Sequence, residues 1–297
     1  MTPGARLREV LAQPGCAMAM GAHDPAIARL VEIAGFPVVY VSGSASSTTV
    51  GGFPDVGLLG FTELLDHARH IIRATKLPVL CDVDTGFGNV TNVRRTIREF
   101  EQAGAAGVHM EDQVFPKRCG QTTGASVIPV SDMVAKIYAA KEAQSDPSFL
   151  LVVRSDARQC EGFDALVNRG RAYVEAGADA IFPEALRTPD EFRRYRDAVS
   201  GPLVIDVPEW GLGEPFTISD LESWGFSLGI FAVTSLRIAL GAIREMLRVV
   251  VTERTQHALL DRMVTRDEMD DLLGLSRIRA DEMRLTAKSS AIDAVQS

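Results

Sequence analysis

Short apolar segments alternate with longer amphipathic ones along most of this 297-residue chain. Each apolar segment is rich in Val, Ile and Ala, which is typical of strands, and residues with helical periodicity follow it. Eight such segments are present: CAMAM, VVYVS, PVLCDVD, GVHMED, FLLVVRSD, AIFPE, PLVIDVPE and LGIFAVTS. The pattern predicts eight strands, each followed by a helix.

A glycine after the predicted helix introduces several of these strands, as in EIAGFPVVYV, EQAGAAGVHM, VEAGADAIFP and ESWGFSLGIF. Glycine suits the left-handed backbone that ends many helices, and strands that are apolar on both faces suit a parallel sheet covered by helices. The repeats therefore predict the α/β class and a (β/α)8 TIM barrel. We expect the catalytic barrel to span residues 1–263.

Residues 264–297 lie beyond the last position that such a barrel requires. The segment DEMDDLLGLSRIRADEMRL is highly charged yet has helical periodicity, which predicts extra C-terminal helices that pack on a neighbouring subunit. We expect these helices to be swapped between the subunits of a homo-oligomer, a dimer of dimers that forms a homotetramer.

The charge balance excludes some classes of partner. The net charge is −8 and no segment concentrates basic residues, whereas binding of nucleic acid needs a basic surface. The start of the chain lacks the apolar core of a signal peptide, and no apolar run approaches the roughly 20 residues that span a bilayer. Four widely spaced cysteines suit a reducing compartment. We expect a cytoplasmic protein without a nucleic-acid or membrane partner, in which local arginines could bind small anions.

Polar residues gather where six of the predicted strands end, in YVSGSASS, CDVDTGFGN, HMEDQ, RSDAR, PEA and DVPEW. Any one of these groups could simply be solvated. Because active sites of such barrels lie at the C-terminal ends of the strands, six polar strand ends around one mouth predict a site there.

Asp82 and Asp84 are the most informative pair. Residues i and i+2 of a strand face the same side, so we expect both carboxylates in one space, where a cation or a shared proton must offset their repulsion. Glu111, at the end of the adjacent strand, adds a third oxygen donor. An oxygen-only set suits Mg²⁺, or alternatively Mn²⁺, better than Zn²⁺. In the other interpretation one aspartate caps the next helix and its neighbour pairs with Arg154.

Two further groups could bind an anion. Arg154, in VVRSDA, could hold a carboxylate or phosphate in bidentate fashion, or form a structural ion pair with a core carboxylate. The backbone of Ser42, Gly43 and Ser44 could donate amide hydrogen bonds, although ordinary turn chemistry explains such a segment equally well.

Cys119 follows Lys117 and Arg118 in the segment PKRCG and precedes a run of small flexible residues. Adjacent cations stabilise a thiolate, and a loop rich in Gly, Thr and Ser can open and close over a site. Cys119 is therefore either a reactive thiol on a gating loop or an inert loop thiol.

The motifs YVSGSASS, GFPD, CDVDTGFGN, VHMEDQVFPKRCG, RSDA, PEA and VPEWG, in this order, resemble those of the isocitrate lyase and phosphoenolpyruvate mutase superfamily over residues 10–250. The similarity is greatest to the branch of methylisocitrate lyase, dimethylmalate lyase and carboxyphosphonoenolpyruvate mutase. It implies a Mg²⁺-dependent lyase that cleaves a carbon–carbon bond of a 2-hydroxy di- or tricarboxylate through an enolate, giving a 2-oxo acid and a second carboxylic acid. The alternatives are phosphonate mutase or hydrolase chemistry, an oxaloacetate-type decarboxylase or hydrolase, and a non-catalytic binding protein.

The resemblance also implies a role for individual residues. The implied metal ligands are Asp82, Asp84 and Glu111, with His109 in the surrounding shell. The implied catalytic residues are Cys119 as proton donor, Asp55 as the base near the metal, and Lys117, Arg154 and Glu184. The implied substrate-binding residues are Tyr40, Ser42, Gly43, Ser44, Gly120, Gln121, Arg154, Asp206, Thr234 and Arg237.

The sequence departs from the family pattern at the distal end of the site. Gln121 stands where the related lyases continue KRCGH, and Asp206 precedes Glu209 where the family commonly has the asparagine of an N-x-x-E pattern. An added carboxylate disfavours a second substrate carboxylate at that point unless Arg237 or a proton compensates. We infer a retained metal end, a pyruvate-like or oxalate-like head group and a changed substrate tail.

Overall fold

Eight parallel strands form a single sheet in the computed structural model, which describes residues 1–120 and 124–296, the last nine of these by their backbone alone. The strands are β1 (Ala17–Gly21), β2 (Val38–Val41), β3 (Val79–Asp82), β4 (Gly107–Glu111), β5 (Leu150–Ser155), β6 (Ala180–Pro183), β7 (Val204–Asp206) and β8 (Leu228–Phe231). The sheet order is β6-β5-β4-β3-β2-β1-β8-β7, and an isolated parallel bridge between Ile181 and Leu203 joins its two ends. The predicted (β/α)8 TIM barrel is confirmed.

Helices alternate with the strands through most of the chain. They are α1 (Pro3–Ala12), α2 (Pro25–Ile33), α3 (Gly43–Ser46), α4 (Phe61–Ala74), α5 (Val90–Ala103), α6 (Val130–Ala143), α7 (Ala157–Cys160), α8 (Phe163–Glu175), α9 (Pro189–Ala198), α10 (Ile218–Ser223), α11 (Thr234–Glu253), α12 (Arg266–Leu273) and α13 (Leu275–Gln296). A π-helical turn spans Ser47–Gly51 and a 3₁₀ helix spans His257–Arg262. No helix in the described ranges combines the length and apolar composition needed to cross a membrane.

Local sequence signals explain where these helices begin and end. The side chain of Asp24 accepts a hydrogen bond from the amide of Ile27 and so caps the start of α2. The four glycines that introduce strands in the sequence motifs all adopt positive φ after a helix: Gly35, Gly104, Gly177 and Gly225. At these positions the left-handed backbone favours glycine because a side chain would be strained.

The register of the parallel strands sets which side chains lie level at the barrel mouth. Asp82 on β3 is the partner of His109 on β4, and Glu111 on β4 is the partner of Arg154 on β5. Every residue of β4 and β5 is buried. The strand ends thus bring charged groups together in an environment with little solvent.

The contacts within the chain divide it into two compact units, residues 1–238 and 239–297. The first contains the whole strand barrel. The second contains most of α11, the 3₁₀ helix, α12 and α13, and exposes apolar side chains such as Val251, Ile278 and Met283. The predicted barrel boundary at residue 263 and the exchange of C-terminal helices between subunits stay predictions.

A buried hydrogen-bond network fixes the ends of β4 and β5. Asp112, directly after β4, accepts hydrogen bonds from Ser155 Oγ (2.7 Å), Tyr173 Oη (2.7 Å) and the Asp156 amide (3.0 Å), and pairs with Arg169 at 3.3 Å. Asp112 is fully buried, so each of these donors has its partner away from water. The network ties two strand ends to α8 and holds the site residues that these strands carry.

We expect Asp112→Ala to lower the free energy of unfolding by about 3 kcal/mol, because it leaves the buried hydroxyls of Ser155 and Tyr173 without this acceptor and removes one carboxylate partner of Arg169. The matched control is Asp190→Ala, which removes an exposed carboxylate paired with Arg194 at 3.5 Å and should change the free energy by less than about 1 kcal/mol. Urea unfolding followed by circular dichroism measures both, and equal losses would contradict a structural role for the network.

Candidate active site

A cavity of about 90 Å³ opens at the C-terminal ends of the strands. Residues from distant parts of the chain line it, and most of the residues singled out in the sequence are among them. The predicted residues on its wall are Tyr40, Ser42, Ser44, Asp55, Asp82, Lys117, Cys119, Gly120, Arg154, Glu184, Asp206 and Arg237. The fold therefore gathers one polar, mostly buried site from seven of the eight strand ends or the segments that follow them.

The other predicted residues border this cavity, except for Gln121. Gly43 is held against Asp82, and Thr234 contacts Glu209 on the cavity wall. Glu111 is buried beside Arg154. Gln121 lies outside the described residues.

Asp82 and Asp84 are close together, but for a different reason from the predicted one. The strand ends at Asp82, and Asp84 lies beyond it with φ +47°, so the alternation of strand side chains does not apply to Asp84. Instead the chain turns, and the Asp84 amide donates a hydrogen bond to Asp82 Oδ1 at 3.0 Å. Left-handed backbone in a residue other than glycine is strained and is typical of functional sites.

Gly43 completes a small space with these two carboxylates. Its amide donates to Asp82 Oδ2 at 3.1 Å, so this donor is already engaged instead of facing a substrate anion as the sequence suggested. A side-chain carbon at Gly43 would lie 2.9 Å from Asp82 Oδ2 and 3.1 Å from Asp84 Oδ1. Only glycine leaves this space open beside both carboxylates.

Lys117 balances the acidic groups of this half of the site. Its Nζ lies 2.5 Å from Asp55 Oδ1 and 3.0 Å from Asp84 Oδ1, and the side chain is buried. Burial acts to lower the pKa of Lys117, but Asp84, Glu111 and Asp55 outweigh it and raise the pKa well above the ordinary value. Lys117 therefore stays charged, and the contacts of its Nζ at 2.5 and 3.0 Å are with the carboxylates of Asp55 and Asp84.

The two aspartates differ in how easily they take up a proton. Burial raises the pKa of Asp84 to about 6 despite the opposing charge of Lys117. Burial also acts on Asp82, but there His109, Lys117 and Arg154 together outweigh it and lower the pKa below the ordinary value. At neutral pH both are carboxylates, and Asp82 is the more firmly ionised.

His109 lies beneath the carboxylates as a neutral ring. Its Nδ1 shares a 2.9 Å hydrogen bond with Tyr40 Oη and lies 3.7 Å from Asp82 Oδ1, while its ring stacks on Phe182 at 4.9 Å. Complete burial lowers its pKa to about 4. An uncharged imidazole can orient Tyr40 and Asp82 without adding positive charge to the site.

Arg154 is the cation of the other half of the site. Its Nε and Nη2 donate to the two oxygens of Asp156 at 2.9 and 2.8 Å, and it lies 3.6 Å from Glu111 and 3.5 Å from Glu184. The alternative in which Arg154 pairs with Asp82 or Asp84 is wrong. The bidentate pair with Asp156 leaves Nη1 toward Glu184 and fixes the plane of the guanidinium at the cavity.

The oxygen donors fit a hard cation that keeps part of its water shell. Glu111 Oε1 is buried and receives no hydrogen bond from the described residues, whereas Asp84 Oδ1 lies 3.0 Å from the ammonium of Lys117. Among the side chains of residues 1–120 and 124–287, no three acidic, His or Cys groups are gathered into a ready-made metal shell. That is the usual situation for Mg²⁺, which binds through one or two carboxylates together with water and substrate. Asp82, Asp84 and Glu111 therefore remain suitable ligands.

The segment that carries Cys119 is closed onto the barrel mouth. Gln113 holds it on one side, accepting from the Arg118 amide at 2.8 Å and donating to the Arg118 carbonyl at 2.9 Å. Gln159 donates to the carbonyl of Gly120 on the other side. A side chain at Gly120 would overlap the guanidinium of Arg154, so glycine is required for this approach. Cys119 is thereby held on the cavity wall between two anchored neighbours.

The far wall of the cavity contains acidic residues from the segment after β7. Glu209 accepts a 2.6 Å hydrogen bond from Thr234 Oγ1 and pairs with Arg237 at 3.3 Å. The guanidinium of Arg237 also lies 5.1 Å from the ring centre of Trp210. Asp206, at the end of β7, has a buried Oδ1 without a hydrogen bond from the described residues. Burial, followed by the nearby charge of Glu184, raises its pKa well above the ordinary value.

Several residues important to this geometry were not singled out in the sequence. Asp156 stands two positions after Arg154, and this i, i+2 spacing at a strand end could have indicated the pair. Gln113 contacts Arg118 five positions later in an irregular loop, and Gln159 contacts Gly120 from a distant segment, so no regular local pattern identifies either contact. The residues missed are Gln113, Asp156, Gln159 and Trp210.

The chain matches the family model described as phosphoenolpyruvate phosphomutase over residues 7–251. It is 43% identical over 272 residues to a 2-methylisocitrate lyase of Aeropyrum pernix, which covers 92% of this chain and 87% of that enzyme. It is 38% identical over 279 residues to a 2,3-dimethylmalate lyase of Eubacterium barkeri, which covers 94% of this chain and 96% of that enzyme. Among solved structures, a phosphonopyruvate hydrolase in complex with oxalate and Mg²⁺ superposes with a TM-score of 0.86 at 31% identity, covering 96% of this chain and 99% of that one.

The buried neutral state of His109 predicts a pH dependence of stability. The unfolded chain takes up a proton near pH 6.5, whereas folded His109 does so only near pH 4. The free energy of unfolding is therefore expected to fall as the pH drops from about 6.5 towards 4, and His109 contributes at most about 1.4 kcal/mol per pH unit. The free energy of unfolding of His109→Gln, measured by urea unfolding at a series of pH values, should decline less steeply over this range. Parallel declines in the two proteins would contradict the assignment.

Proposed function

Because the chain belongs to the phosphoenolpyruvate mutase and isocitrate lyase superfamily, we propose that it is a carbon–carbon lyase acting on a 2-hydroxy di- or tricarboxylate of the methylisocitrate or substituted-malate type. Its products are then a 2-oxo acid and a second carboxylic acid. The observation that carries this proposal is the joint presence, on one cavity, of the loop thiol of Cys119, the guanidinium of Arg154 and the carboxylate of Asp82.

We propose Mg²⁺ as the cofactor, with Mn²⁺ as an alternative, held by Asp82, Asp84 and Glu111. When bound, such a cation stabilises negative charge on the oxygens of the 2-oxo acid fragment. Two observations support this ligand set: Glu111 Oε1 is buried without a hydrogen bond from the described residues, and Gly43 leaves space beside the carboxylates of Asp82 and Asp84. A similar solved structure contains Mg²⁺ and oxalate, a small dianion of the size expected for the head group.

Four residues of the cavity bind and orient the substrate in this proposal. Arg154 binds a substrate carboxylate, and its pair with Asp156 prevents it from rotating away. Tyr40, Ser42 and Ser44 line the same cavity and orient the head group through hydrogen bonds. Hydrogen-bonding groups that are fixed before the reaction stabilise developing negative charge without reorganising.

Two groups move the protons in this proposal. Asp55 accepts the proton of the substrate hydroxyl, and the 2.5 Å contact with Lys117 holds its carboxylate in place. Cys119 then gives a proton to the carbon that carries the negative charge after the bond breaks. The anchoring of the cysteine segment by Gln113 and Gln159 supports a closed state in which water is excluded.

We further infer a cytoplasmic homo-oligomer, a dimer of dimers, whose substrate is a small anionic carboxylate. Among the described residues, Cys16, Cys81 and Cys160 form no disulfide bond, as expected in a reducing compartment. Within the unit of residues 239–297, Leu247, Val251 and Met283 are more than half exposed, which favours burial of these helices against another subunit.

The decisive test of the function is a substrate panel followed by NMR. The purified protein with Mg²⁺ should release a 2-oxo acid from 2,3-dimethylmalate or 2-methylisocitrate, because the site fits the head group that both share. Release of phosphate from phosphonopyruvate without carbon–carbon cleavage would overturn the proposal in favour of phosphonate hydrolysis.

Cys119→Ser should lower kcat by about 100-fold to 10,000-fold, because a hydroxyl is a far weaker acid than a thiol in proton transfer. Mg²⁺ affinity should be retained. Cys160→Ser is the matched control, since Cys160 is exposed and is absent from the described cavity wall. Equal rates in wild type and Cys119→Ser would show that another group supplies the proton.

Asp82→Asn should weaken Mg²⁺ binding by at least about 100-fold, because it removes a firmly ionised ligand. Isothermal titration calorimetry with MgCl₂ measures this directly. Asp190→Asn, an exposed change of the same kind, should leave the affinity as it is in the wild type. Unaltered Mg²⁺ affinity in Asp82→Asn would remove Asp82 from the ligand set, and no Mg²⁺ binding by the wild type would favour a non-catalytic binding protein.

A further inference from the structure

The cation at the far wall of the active-site cavity is already neutralised within the chain. Arg237 pairs with Glu209 at 3.3 Å and lies against the face of Trp210, and Glu209 is further fixed by Thr234 Oγ1 at 2.6 Å. A substrate carboxylate at this wall would have to compete with Glu209 for Arg237. Asp206, on the same wall, adds no positive charge in either protonation state.

A second cavity adjoins the first at this wall. Its volume is about 260 Å³, and it shares Asp206, Pro208, Glu209 and Trp210 with the active-site cavity. Both cavities are built from residues of the first compact unit. The four shared residues border both cavities, so the second cavity lies directly beside the far wall of the first.

The walls of the second cavity suit an uncharged tail. Apart from the shared residues, its surface is mainly apolar and comes from the ends of β6 and β7 and the segment before α10: Ala185, Leu186, Ile205, Leu212, Pro215 and Phe216. None of the described residues on its wall is Lys, Arg or His, and its acidic side chains are Asp206, Glu209 and Glu214. A carboxylate in this space would find no cation on the described wall and would lie near Glu209 and Glu214, whereas an alkyl chain would lose contact with water.

We propose, on the premise of the lyase function above, that the substrate tail is an uncharged alkyl chain bound in this second cavity. The preferred substrate is then a 2-methyl-3-alkylmalate and not a tricarboxylate. The bond between C2 and C3 breaks, the C2 hydroxyl loses its proton to a base, and C3 gains a proton. The products are pyruvate and a linear monocarboxylate that carries the alkyl chain.

The test compares three substrates that share the head group and differ at C3. They carry a methyl group (2,3-dimethylmalate), a propyl group (2-methyl-3-propylmalate) or a carboxymethyl group (2-methylisocitrate). Each buried methylene contributes about fourfold, so the two added methylenes should raise kcat/KM by about 15-fold from methyl to propyl. It should fall by at least about tenfold from methyl to carboxymethyl, because the added charge has no counterion. The highest kcat/KM for 2-methylisocitrate would overturn the inference while leaving the lyase function intact.

A binding measurement tests the binding of an alkyl tail separately from the lyase function. Pentanoate, the product expected from the propyl substrate, should bind the Mg²⁺-loaded protein at least about tenfold more tightly than succinate in calorimetry. If no malate is cleaved but pentanoate still binds more tightly, the lyase proposal fails and the assignment of the tail cavity stands. Tighter binding of succinate would overturn the tail assignment whatever the outcome of catalysis.

Two substitutions test whether the residues of the second cavity and the far wall determine this preference among substrates. Leu212→Trp fills the second cavity and should lower the ratio of kcat/KM for the propyl over the methyl substrate by about tenfold. Glu209→Gln releases Arg237 and should raise kcat/KM for 2-methylisocitrate relative to 2,3-dimethylmalate by about tenfold. Unchanged ratios in both variants, with native circular dichroism spectra, would overturn the assignment.

Discussion

The burial of charge at the barrel mouth is the constraint on which the rest of this structure depends. Carboxylates taken out of water are costly unless opposite charges and hydrogen bonds compensate them. Here two buried cations provide that compensation, Lys117 for Asp55 and Asp84, and Arg154 for Asp156 and Glu184. Glu111 Oε1, which is buried and lacks a hydrogen bond from the described residues, marks the place where the balance is incomplete and where the proposed divalent cation would complete it.

The fold supplies the rigidity that this arrangement requires. Parallel register sets Glu111 level with Arg154, and the network around Asp112 fixes the two strand ends from behind. The loop segment that contains Cys119 is fixed at the cavity as well, because Gln113 binds Arg118 on one side of the cysteine and Gln159 binds Gly120 on the other. A thiol that must deliver a proton from one face benefits from such restraint, since misplacement by about 1 Å can cost 100-fold in rate.

The two halves of the cavity follow different electrostatic rules. The end of the cavity around Asp82 contains neighbouring cations and an unsatisfied carboxylate oxygen, which suits a metal and a small dianionic head group. At the far wall Arg237 is paired with Glu209, and the charged side chains on the described wall of the adjoining, mainly apolar cavity are all acidic. The proposed function thus assigns reaction chemistry and substrate choice to separate residues.

The sequence by itself determined the barrel, its eight strands and the position of the site at the strand ends, because periodicity and glycine punctuation are local signals. Family motifs also placed Cys119 and Arg154 on one cavity in advance. The partners of these groups were decided only by the tertiary structure. Asp84 lies beside Asp82 through a left-handed turn and not through strand alternation, and Lys117 faces carboxylates. Which charge neutralises which depends on distances between segments far apart in the chain, and no local pattern contains those distances.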